Sequence, residues 1–297
     1  MKIETGLVPD TSILVYYVFG NLNQKNRIVE MFQKFNNIII LNEPLMSEIG
    51  RVVFASFFKF KEMIDHFLSK KENLEPDDFW ITLTQKINKI WSNHLSRRLI
   101  YILTYFRNIY EKVPLDKKDP SYYLKVKDRI NSSVYLLIEE LLEFQEEISK
   151  WNVKNTLACP QAKWEIVYSE NTFDYEFRYY SKCSNICPNR KMILVDLIKE
   201  HKMLFLDILK NEKQFSNHNK INIDNKLIKT IEKLILITDN RLDFDFRTNY
   251  CYNLGDLLIC LLLKGTDYSL YTLNINHSKF ILHFLHIDWN RLIEFTQ

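Results

Sequence analysis

The sequence contains three acidic side chains in positions that suit metal-ion chemistry. Asp10 follows a short apolar run, Glu48 lies among apolar residues of a predicted helix, and Asp256 begins an almost wholly apolar helix. Asn274 comes directly after a predicted strand, "YSLYTL". In an open parallel sheet, strand ends and helix starts gather along one edge, where sites usually form. Crowded carboxylates repel one another unless they share cations, so this set favours Mg²⁺ or Mn²⁺ bound through oxygen.

Each of these residues also has an explanation that needs no metal. Asp10 and Asp256 suit helix caps or first-turn acids, which the helix dipole favours. Glu48 lies three residues before Arg51, with which it can form a surface ion pair on the same helix. Asn274 suits a simple turn. The occurrence of all four on one predicted edge is what favours a shared site.

The elements that must position these residues alternate between strand and helix at both ends of the chain. A strand that ends at Asp10 precedes a helix through Val18, and "NNIIIL" predicts a buried strand. Asn42 suits the N-cap of the next helix, which has a proline in its first turn. Later, "GDLLICLLLKG" predicts a helix closed by Gly265, and strands follow in "YSLYTL" and, at an edge, in "WNRLIEF". We therefore predict an α/β fold with a parallel sheet flanked by helices.

Between these ends, long helical patterns predict an insertion that is mainly helical. The clearest are "FWITLTQKINKIWSNHLSRRLIYILTYFRNIY" and "INSSVYLLIEELLEFQEEISKW". Residues 164–180 predict a hairpin with a turn at "SEN", a helix follows at about 191–210, and the polar stretch 210–226 predicts a linker. The domain organisation we expect is a first half of the α/β domain at 1–60, the helical insertion at 61–225 and a second half at 226–297.

The overall composition indicates an ordinary globular chain with abundant helix, because glycine and proline are scarce. The formal charge of +3 is too small to indicate polyanion binding by itself, so a nucleic-acid site needs local basic patches. The first residues lack an apolar signal core, and the longest apolar run, 257–263, is far too short to span a bilayer. Five unevenly spaced cysteines do not suit a secreted disulfide framework. We expect a cytoplasmic protein that does not associate with membranes.

The stretches around the acids resemble the PIN-domain nucleases. The matching stretches are "VPDTSILVYYV", "IIILNEPLMSEIGRVV", "NLGDLLICLLLKG" and "YSLYTLNINHSKF". In that family the first acid ends the first strand, and a second lies in a later helix. A third acid opens the helix before the fourth strand, which ends in Thr-x-Asp or Thr-x-Asn. The resemblance covers roughly residues 4–60 and 230–290. The second and third acids lie much farther apart here than is usual in the family, which implies an inserted module.

The resemblance implies a metal-dependent endoribonuclease that hydrolyses phosphodiester bonds, most often in single-stranded RNA. By this resemblance, Asp10, Glu48 and Asp256 hold Mg²⁺ or Mn²⁺, while Thr272 and Asn274 hydrogen-bond water or the scissile phosphate. The asparagine at position 274 stands where the family often has an aspartate, so the site has one negative charge fewer. Its carbonyl oxygen can still bind a metal or orient water.

The sequence is also compatible with three other functions. A catalytically weak PIN-like adaptor could bind RNA or protein, because Asn274 removes a charge from the metal site. An interaction protein could use the helical insertion to bind a protein partner or a second copy of the chain, with the acids acting only as caps. A haloacid dehalogenase-like phosphotransferase is a poor match, since Ser12 occupies the position where that family has its second aspartate.

Three cysteines in the predicted insertion have spacing that suits a structural zinc site. Cys159 lies before the predicted hairpin, and Cys183 and Cys187 lie after it in "CSNIC". One Zn²⁺ could therefore clamp the base of the hairpin, with His201, His218 or another group as a fourth ligand. Reduced or buried thiols are the other interpretation, because a fourth cysteine is missing.

Basic residues in the insertion form two candidate RNA-binding patches. In "FRYYSKCSNICPNRK" cations alternate with tyrosines, which suits backbone charge and base stacking in single strands. A solvated hairpin, with its tyrosines packed on the helices, is the other interpretation. The cations that we predict to bind substrate are Arg178, Lys182, Arg190, Lys191, Arg97 and Arg98.

Overall fold

The computed structural model describes residues 5–70, 75–90, 93–112, 115–117, 119, 121–154, 164–179, 190–219, 225–239 and 249–296. This part of the chain is mainly helical. Its α-helices, α1 to α12, span Thr11–Phe19, Leu22–Lys34, Glu43–Ile49, Ala55–Leu68, Pro76–Asn88, Asn93–Tyr110, Tyr122–Ser149, Arg190–Asn219, Asn225–Thr238, Asn249–Asn253, Gly255–Leu261 and Ile275–Phe284. Among the described residues, none of these helices combines the length and apolar character needed to cross a bilayer.

The strands are short and form small sheets. In order, β1 to β7 span Leu7–Pro9, Ile40–Asn42, Asn152–Lys154, Trp164–Ser169, Asp174–Tyr179, Ser269–Thr272 and Leu292–Glu294. Strand β6 lies between β1 and β7, and β3 pairs with β2, all in parallel. A parallel bridge between Leu7 and Ile39 connects the two groups, which gives the order β3-β2-β1-β6-β7. The predicted α/β class with a parallel sheet is confirmed at this coarse level.

The central strands are buried, which explains their continuous apolar sequences. Leu7, Val8 and Leu41 have no exposed surface, and Leu270 and Tyr271 of the neighbouring strand β6 are almost as deeply buried. Parallel strands are normally covered by helices on both faces, so they carry apolar side chains on both sides. Because β1 and β6 are parallel neighbours, their carboxyl ends open onto the same edge of the sheet.

One buried asparagine connects the elements that carry two of the predicted site acids. Asn42 ends β2, and its side chain accepts a hydrogen bond from the backbone N–H of Leu45, so it caps α3 as predicted. Its Nδ2 also donates to the carbonyl of Leu258 in α11, at 3.2 Å. Helix α3 carries Glu48 and helix α11 carries Asp256. Asn42 therefore fixes both helices at the end of the second strand.

A π-helical segment, Gly50–Phe54, joins α3 to α4 and contacts the antiparallel hairpin of β4 and β5. This hairpin has its turn at 170–173, as the sequence predicts. Trp164 of β4 donates from Nε1 to the carbonyl of Met46 at 3.0 Å, and its ring lies 4.3 Å from that of Phe54. The indole lies directly over Gly50, where a side chain would collide with it. The missing side chain at Gly50 thus lets the hairpin pack on the segment that follows Glu48.

A nearly buried lysine holds the other end of the hairpin. Lys61 of α4 has 9% of its side chain exposed, and it forms ion pairs with Asp65, at 2.8 Å, and with Asp174 of β5. Burial alone lowers the pKa of Lys61, but the hydrogen bonds and charges of the two carboxylates outweigh burial and raise the pKa overall. The ion pairs therefore keep this lysine charged inside the interface between helix and hairpin.

The predicted linker over 210–226 is wrong for its first half. Helix α8 continues through Asn219, and α9 begins at Asn225. The reason is Phe215, which is 6% exposed and packs against Phe280 and Phe284 of α12 at centroid distances of 5.5 and 5.8 Å. One well-placed aromatic contact holds this asparagine-rich stretch in a helix.

Strand β3 lies within the range predicted as a helical insertion, yet it pairs with β2 and extends the sheet. Its side chains at 152–154 are all exposed, so the sequence carries no apolar pattern there. The chain therefore returns to the sheet between the helical stretch α4–α7 and the hairpin. The boundaries of the three predicted segments stay predictions. Strand β3 belongs to the second segment and pairs with β2 of the first.

Candidate active site

Asp10 lies at the carboxyl end of β1 and begins helix α1. Its carboxylate accepts hydrogen bonds from the backbone N–H of Ser12, from the Ser12 hydroxyl, both at 3.0 Å, and from the Thr272 hydroxyl at 2.7 Å. The bond from the Ser12 N–H is an N-cap, so the capping interpretation holds. The bond from Thr272 comes from the far end of the sequence and goes beyond capping. Asp10 therefore caps helix α1 and also contacts a residue from the other end of the sequence.

Thr272 and Asn274 lie beside Asp10 because β6 is the parallel neighbour of β1. Thr272 ends β6, is almost fully buried, and donates to Asp10 while its own oxygen accepts from the backbone N–H of Asn274 at 2.9 Å. Asn274 occupies the N-cap position of α12, but its exposed side chain makes no capping hydrogen bond. The structure therefore brings Thr272 onto the acid directly and leaves the Asn274 side chain at the rim.

Burial and the charges of neighbouring acids influence the pKa values of Asp10 and Glu48. Burial is the main cause that raises the pKa of Asp10, the charge of Asp256 raises it further, and the hydrogen bonds from Thr272 and Ser12 lower it in part. Burial also raises the pKa of Glu48, and the charges of Asp10 and Asp256 add to that effect. The three predicted acids therefore act on one another as one negatively charged group.

The raised pKa values of Asp10 and Glu48, caused first by burial and then by the neighbouring charges, have a defined consequence for stability. A carboxyl group whose pKa is higher in the folded than in the unfolded chain stabilises the fold fully below its unfolded pKa, about 4. That contribution is lost as the pH rises through the folded pKa. At neutral pH the charged Asp10 and Glu48 thus destabilise the fold unless a cation neutralises them. Acids that serve only as caps would have no reason to be arranged in this way.

Basic groups flank the acids on one side. Arg51 lies with its Nη2 3.7 Å from Glu48 Oε1, which is the ion pair considered from the sequence. Arg98, half-buried on α6, has its pKa lowered by burial first and then by the positive charge of Arg51, while Glu48 raises it. Two guanidinium groups therefore lie near one carboxylate. The surplus of positive charge at this side suits a phosphate group.

A buried histidine contacts Asp256. His277, in the first turn of α12, has its Nε2 3.1 Å from Asp256 Oδ2, and only 8% of its side chain is exposed. The carboxylate of Asp256 is 48% exposed. The histidine therefore holds one face of Asp256 and leaves the other face open to solvent.

The donor set suits a hard divalent cation. Oxygen atoms of three carboxylates, a hydroxyl and an amide carbonyl are the ligand types that Mg²⁺ and Mn²⁺ prefer. In the part of the chain that the structure describes, no three His, Cys, Asp or Glu side chains are close enough to form a ready-made metal cluster. Each of the three carboxylates instead has a protein partner of its own. The chemistry of the donors thus fits the metal, although the described carboxylates are not gathered into one cluster.

The other two described cations from the prediction, Arg97 and Arg178, are exposed. Arg97 is exposed on α6, one residue from the half-buried Arg98. Arg178 pairs with Glu176 across 3.1 Å, and it is the one cation of strands β4 and β5 and their turn, which carry four acids. This negative charge is unfavourable for RNA, so the described part of the hairpin does not support the substrate-binding role predicted for Arg178.

The remaining predicted site residues fall outside what the structure describes. Lys182 and the three cysteines of the zinc hypothesis, Cys159, Cys183 and Cys187, lie outside the described residues. Arg190 and Lys191 begin α8, but their side chains are not described. The zinc site and these substrate contacts therefore stay predictions.

Sequence reasoning missed two residues of this site. Ser12 donates two of the three hydrogen bonds that the Asp10 carboxylate accepts, and from the sequence it is only a mismatch to another enzyme family. His277 was not singled out, although its position in the first turn of the helix after Asn274 places it at the same sheet edge. A polar side chain in the first turn of a helix that follows a parallel strand is the signal that could have found both.

Comparison with known proteins does not identify a relative. No protein-family model matches this chain, no curated protein matches it, and no solved structure matches it. The residues and their geometry are therefore the basis for assigning a class of protein.

Proposed function

We propose that this chain is a PIN-like, metal-dependent endoribonuclease that hydrolyses phosphodiester bonds in single-stranded RNA. The observation that carries the proposal is the contact between the two ends of the sequence at one sheet edge. Asp10 accepts a hydrogen bond from Thr272, and the charge of Asp256 acts on Asp10 as well. Asp10 and Glu48, whose pKa values are raised by burial and by the charge of Asp256, suit metal-assisted chemistry on an anionic substrate at the carboxyl edge of a parallel sheet.

Asp10, Glu48 and Asp256 are the residues that hold the Mg²⁺ or Mn²⁺ ion in this proposal. When bound, the metal lowers the pKa of a water molecule and neutralises charge on the phosphate. Thr272 keeps the Asp10 carboxylate in place through its hydroxyl, and His277 does the same for Asp256. No nucleophilic side chain is required: water would attack the phosphorus, one P–O bond to a ribose oxygen would break, and that oxygen would leave as a hydroxyl after taking up a proton.

The basic side of the site suits the RNA backbone. Arg98 and Arg51 lie beside Glu48, so a phosphate next to the acids would relieve the repulsion between their two guanidinium groups. Guanidinium groups bind phosphate through paired hydrogen bonds. Asn274, exposed at the rim beside Thr272, can hydrogen-bond water or the same phosphate through its amide. In this proposal the RNA strand crosses the edge of the sheet and contacts these side chains.

Cleavage of end-labelled single-stranded RNA, with a DNA strand of the same sequence beside it, tests the proposal. Wild type is assayed in Mg²⁺, in Mn²⁺ and with a chelator, next to Asp10→Asn and Asp256→Asn. Asp128→Asn is the matched control, because Asp128 is an exposed acid on α7. We expect metal-dependent cleavage that both site variants lose and the control keeps. Cleavage that survives in folded Asp10→Asn would refute the assignment of the site.

One observation favours a second candidate, a PIN-like adaptor that binds RNA or protein without cutting. The described acids do not form a ready-made cluster, and Asn274 supplies no charge. Such a chain would bind Mn²⁺ weakly, and Asn274→Asp would strengthen the binding by adding a carboxylate at the rim. Tight Mn²⁺ binding by wild type, unchanged in Asn274→Asp, would argue against the adaptor.

A further inference from the structure

A pocket of about 370 Å³ opens between α8 and α12, away from the acids. It is lined by Asp207, Asn211, Gln214, Phe215, Asn219, His283 and Phe284. The function proposed above uses none of these residues. The pocket combines an aromatic floor with a polar rim, a combination typical of small-ligand sites.

Aromatic rings that pack around Phe215 at tilted or edge-on angles form the floor of the pocket. Phe215 is buried, and the exposed ring of His283 lies 4.5 Å from it at an angle of 37°. Phe284 and Trp289 contact the other sides of Phe215, with centroid distances of 5.8 and 6.5 Å. An exposed imidazole backed by a phenyl ring gives a flat surface on which a planar heteroaromatic ring can stack.

The rim of the pocket is rich in hydrogen-bond acceptors. Asn211 donates from Nδ2 to the carboxylate of Asp207 at 2.5 Å, and Asn219 donates from Nδ2 to the carbonyl of Phe215 at 3.0 Å. An amide can both donate and accept, whereas a carboxylate only accepts, so Asp207 is the group at the rim that selects for a donor on the ligand. Such a rim favours a ring that carries amino groups. Adenine, cytosine and guanine have an exocyclic amino group, whereas uracil has none.

Helix α12 connects this pocket to the edge that carries the acids. Asn276, Lys279 and His283 recur at helical spacing along one face, and the first and last of them are exposed. The helix starts beside Asn274 at the site edge, and nine residues at 1.5 Å each place His283 roughly 13 Å further along. Lys279 lies between the two, with its ammonium 5.5 Å from the ring centroid of Trp289. A cation followed by rings along one face is typical of a track for single-stranded RNA.

We propose that the α8–α12 pocket is a subsite for one amino-bearing nucleobase of a single-stranded RNA that lies along α12. This inference rests on the proposed nuclease function, whose substrate it specifies. The base stacks on His283, its amino group donates to Asp207 or a neighbouring amide oxygen, and Lys279 contacts a backbone phosphate between the subsite and the acids. The subsite makes the enzyme prefer strands with adenine, cytosine or guanine at a fixed distance from the cleaved bond.

Binding of short homopolymers of adenylate, cytidylate and uridylate tests the subsite. The full chain carrying Asp10→Asn is used, so that binding is measured without cleavage, by fluorescence anisotropy of the labelled RNA. We expect His283→Ala to weaken binding of adenylate and cytidylate by about tenfold, as for loss of one stacked base. His66→Ala is the matched control, because His66 is an exposed histidine on α4. Asp207→Asn should reduce the preference over uridylate and leave uridylate binding unchanged.

The outcomes separate this inference from the proposed function. Cleavage by wild type together with unchanged binding in His283→Ala, Asp207→Asn and Lys279→Ala would overturn the subsite and leave the nuclease standing. Binding through His283 by a chain that never cleaves would support the subsite and overturn the nuclease. If the full chain binds none of the RNAs, both are overturned.

Discussion

Gly50→Ala is the substitution for which the structure gives the most specific expectation. A Cβ atom at this position would lie 2.5 Å from Trp164 Cδ1 and 2.7 Å from its Nε1. Ordinary carbon contacts begin at about 3.5 Å, so the indole must move by about 1 Å. That movement strains its hydrogen bond to the Met46 carbonyl and its packing on Phe54. The hairpin would then be displaced from the segment that follows Glu48.

The expected size of the effect is the balance of three contributions. Overpacking of this kind costs about 1–3 kcal/mol, and a weakened hydrogen bond adds about 1 kcal/mol. Gly50 has helical dihedral angles, so alanine gains up to about 1 kcal/mol from helix propensity. We therefore expect Gly50→Ala to lower the free energy of unfolding by about 1–3 kcal/mol, measured by urea denaturation. Gly255→Ala is the control, since nothing lies within 4 Å of its added Cβ.

A double-mutant cycle isolates the clash from the other effects. Trp164→Val removes the ring atoms that the new Cβ would meet and keeps a residue suited to a strand. In that background we expect Gly50→Ala to be neutral or stabilising by up to about 1 kcal/mol. If Gly50→Ala is neutral or stabilising in the wild-type background as well, the described packing of Trp164 on Gly50 is wrong.

Three further expectations concern the acids, the arginines and the hairpin. Without divalent cations, Asp10→Asn should raise the thermal midpoint of unfolding at pH 7, because burial and the charge of Asp256 raise the pKa of Asp10. The gain should vanish below about pH 4, where the carboxyl group is protonated in the unfolded chain as well. A thermal midpoint that falls at pH 7 would contradict this expectation. Arg98→Ala should weaken RNA binding and reduce the slope of affinity against salt by about 1, with Arg97→Ala showing the smaller effect in salt titrations. If Arg98→Ala and Arg97→Ala change the RNA affinity and its salt dependence equally, Arg98 has no special role in binding. Lys61→Met should cost about 2 kcal/mol in urea denaturation, because it leaves the partly buried Asp174 without its cation, and an unchanged midpoint would show that the ion pair is not stabilising.

The sequence was sufficient to predict the parts of the fold that depend on local pattern. Asp10 at a strand end, the cap at Asn42 and the edge strand at 292–294 all follow from apolar runs bounded by capping residues. Parallel pairing of β1 and β6 then brings Asp10 to Thr272, which are 262 positions apart in sequence. The approximate location of the site was predictable because strand ends in a parallel sheet share an edge.

The features that the sequence did not reveal depend on contacts between distant segments. Strand β3 has only exposed side chains, so its pairing with β2 leaves no apolar pattern. The helix over 210–219 depends on one contact, that of Phe215 with α12. The partner of Asp256, His277, and the approach of Arg98 to Arg51 depend on how helices pack around the edge. Except for the first-turn position of His277, none of these contacts has a local sequence signal.

Binding of Mn²⁺, followed by the loss of the free-ion signal in electron paramagnetic resonance, is the most direct test of the central claim. We expect one strong Mn²⁺ site in the wild-type chain, for which Mg²⁺ competes. This site should be lost in folded Asp10→Ala and Asp256→Ala and kept in Asp128→Asn. Absence of binding by wild type, or binding that persists in both site variants, would contradict the claim that these acids form a metal site.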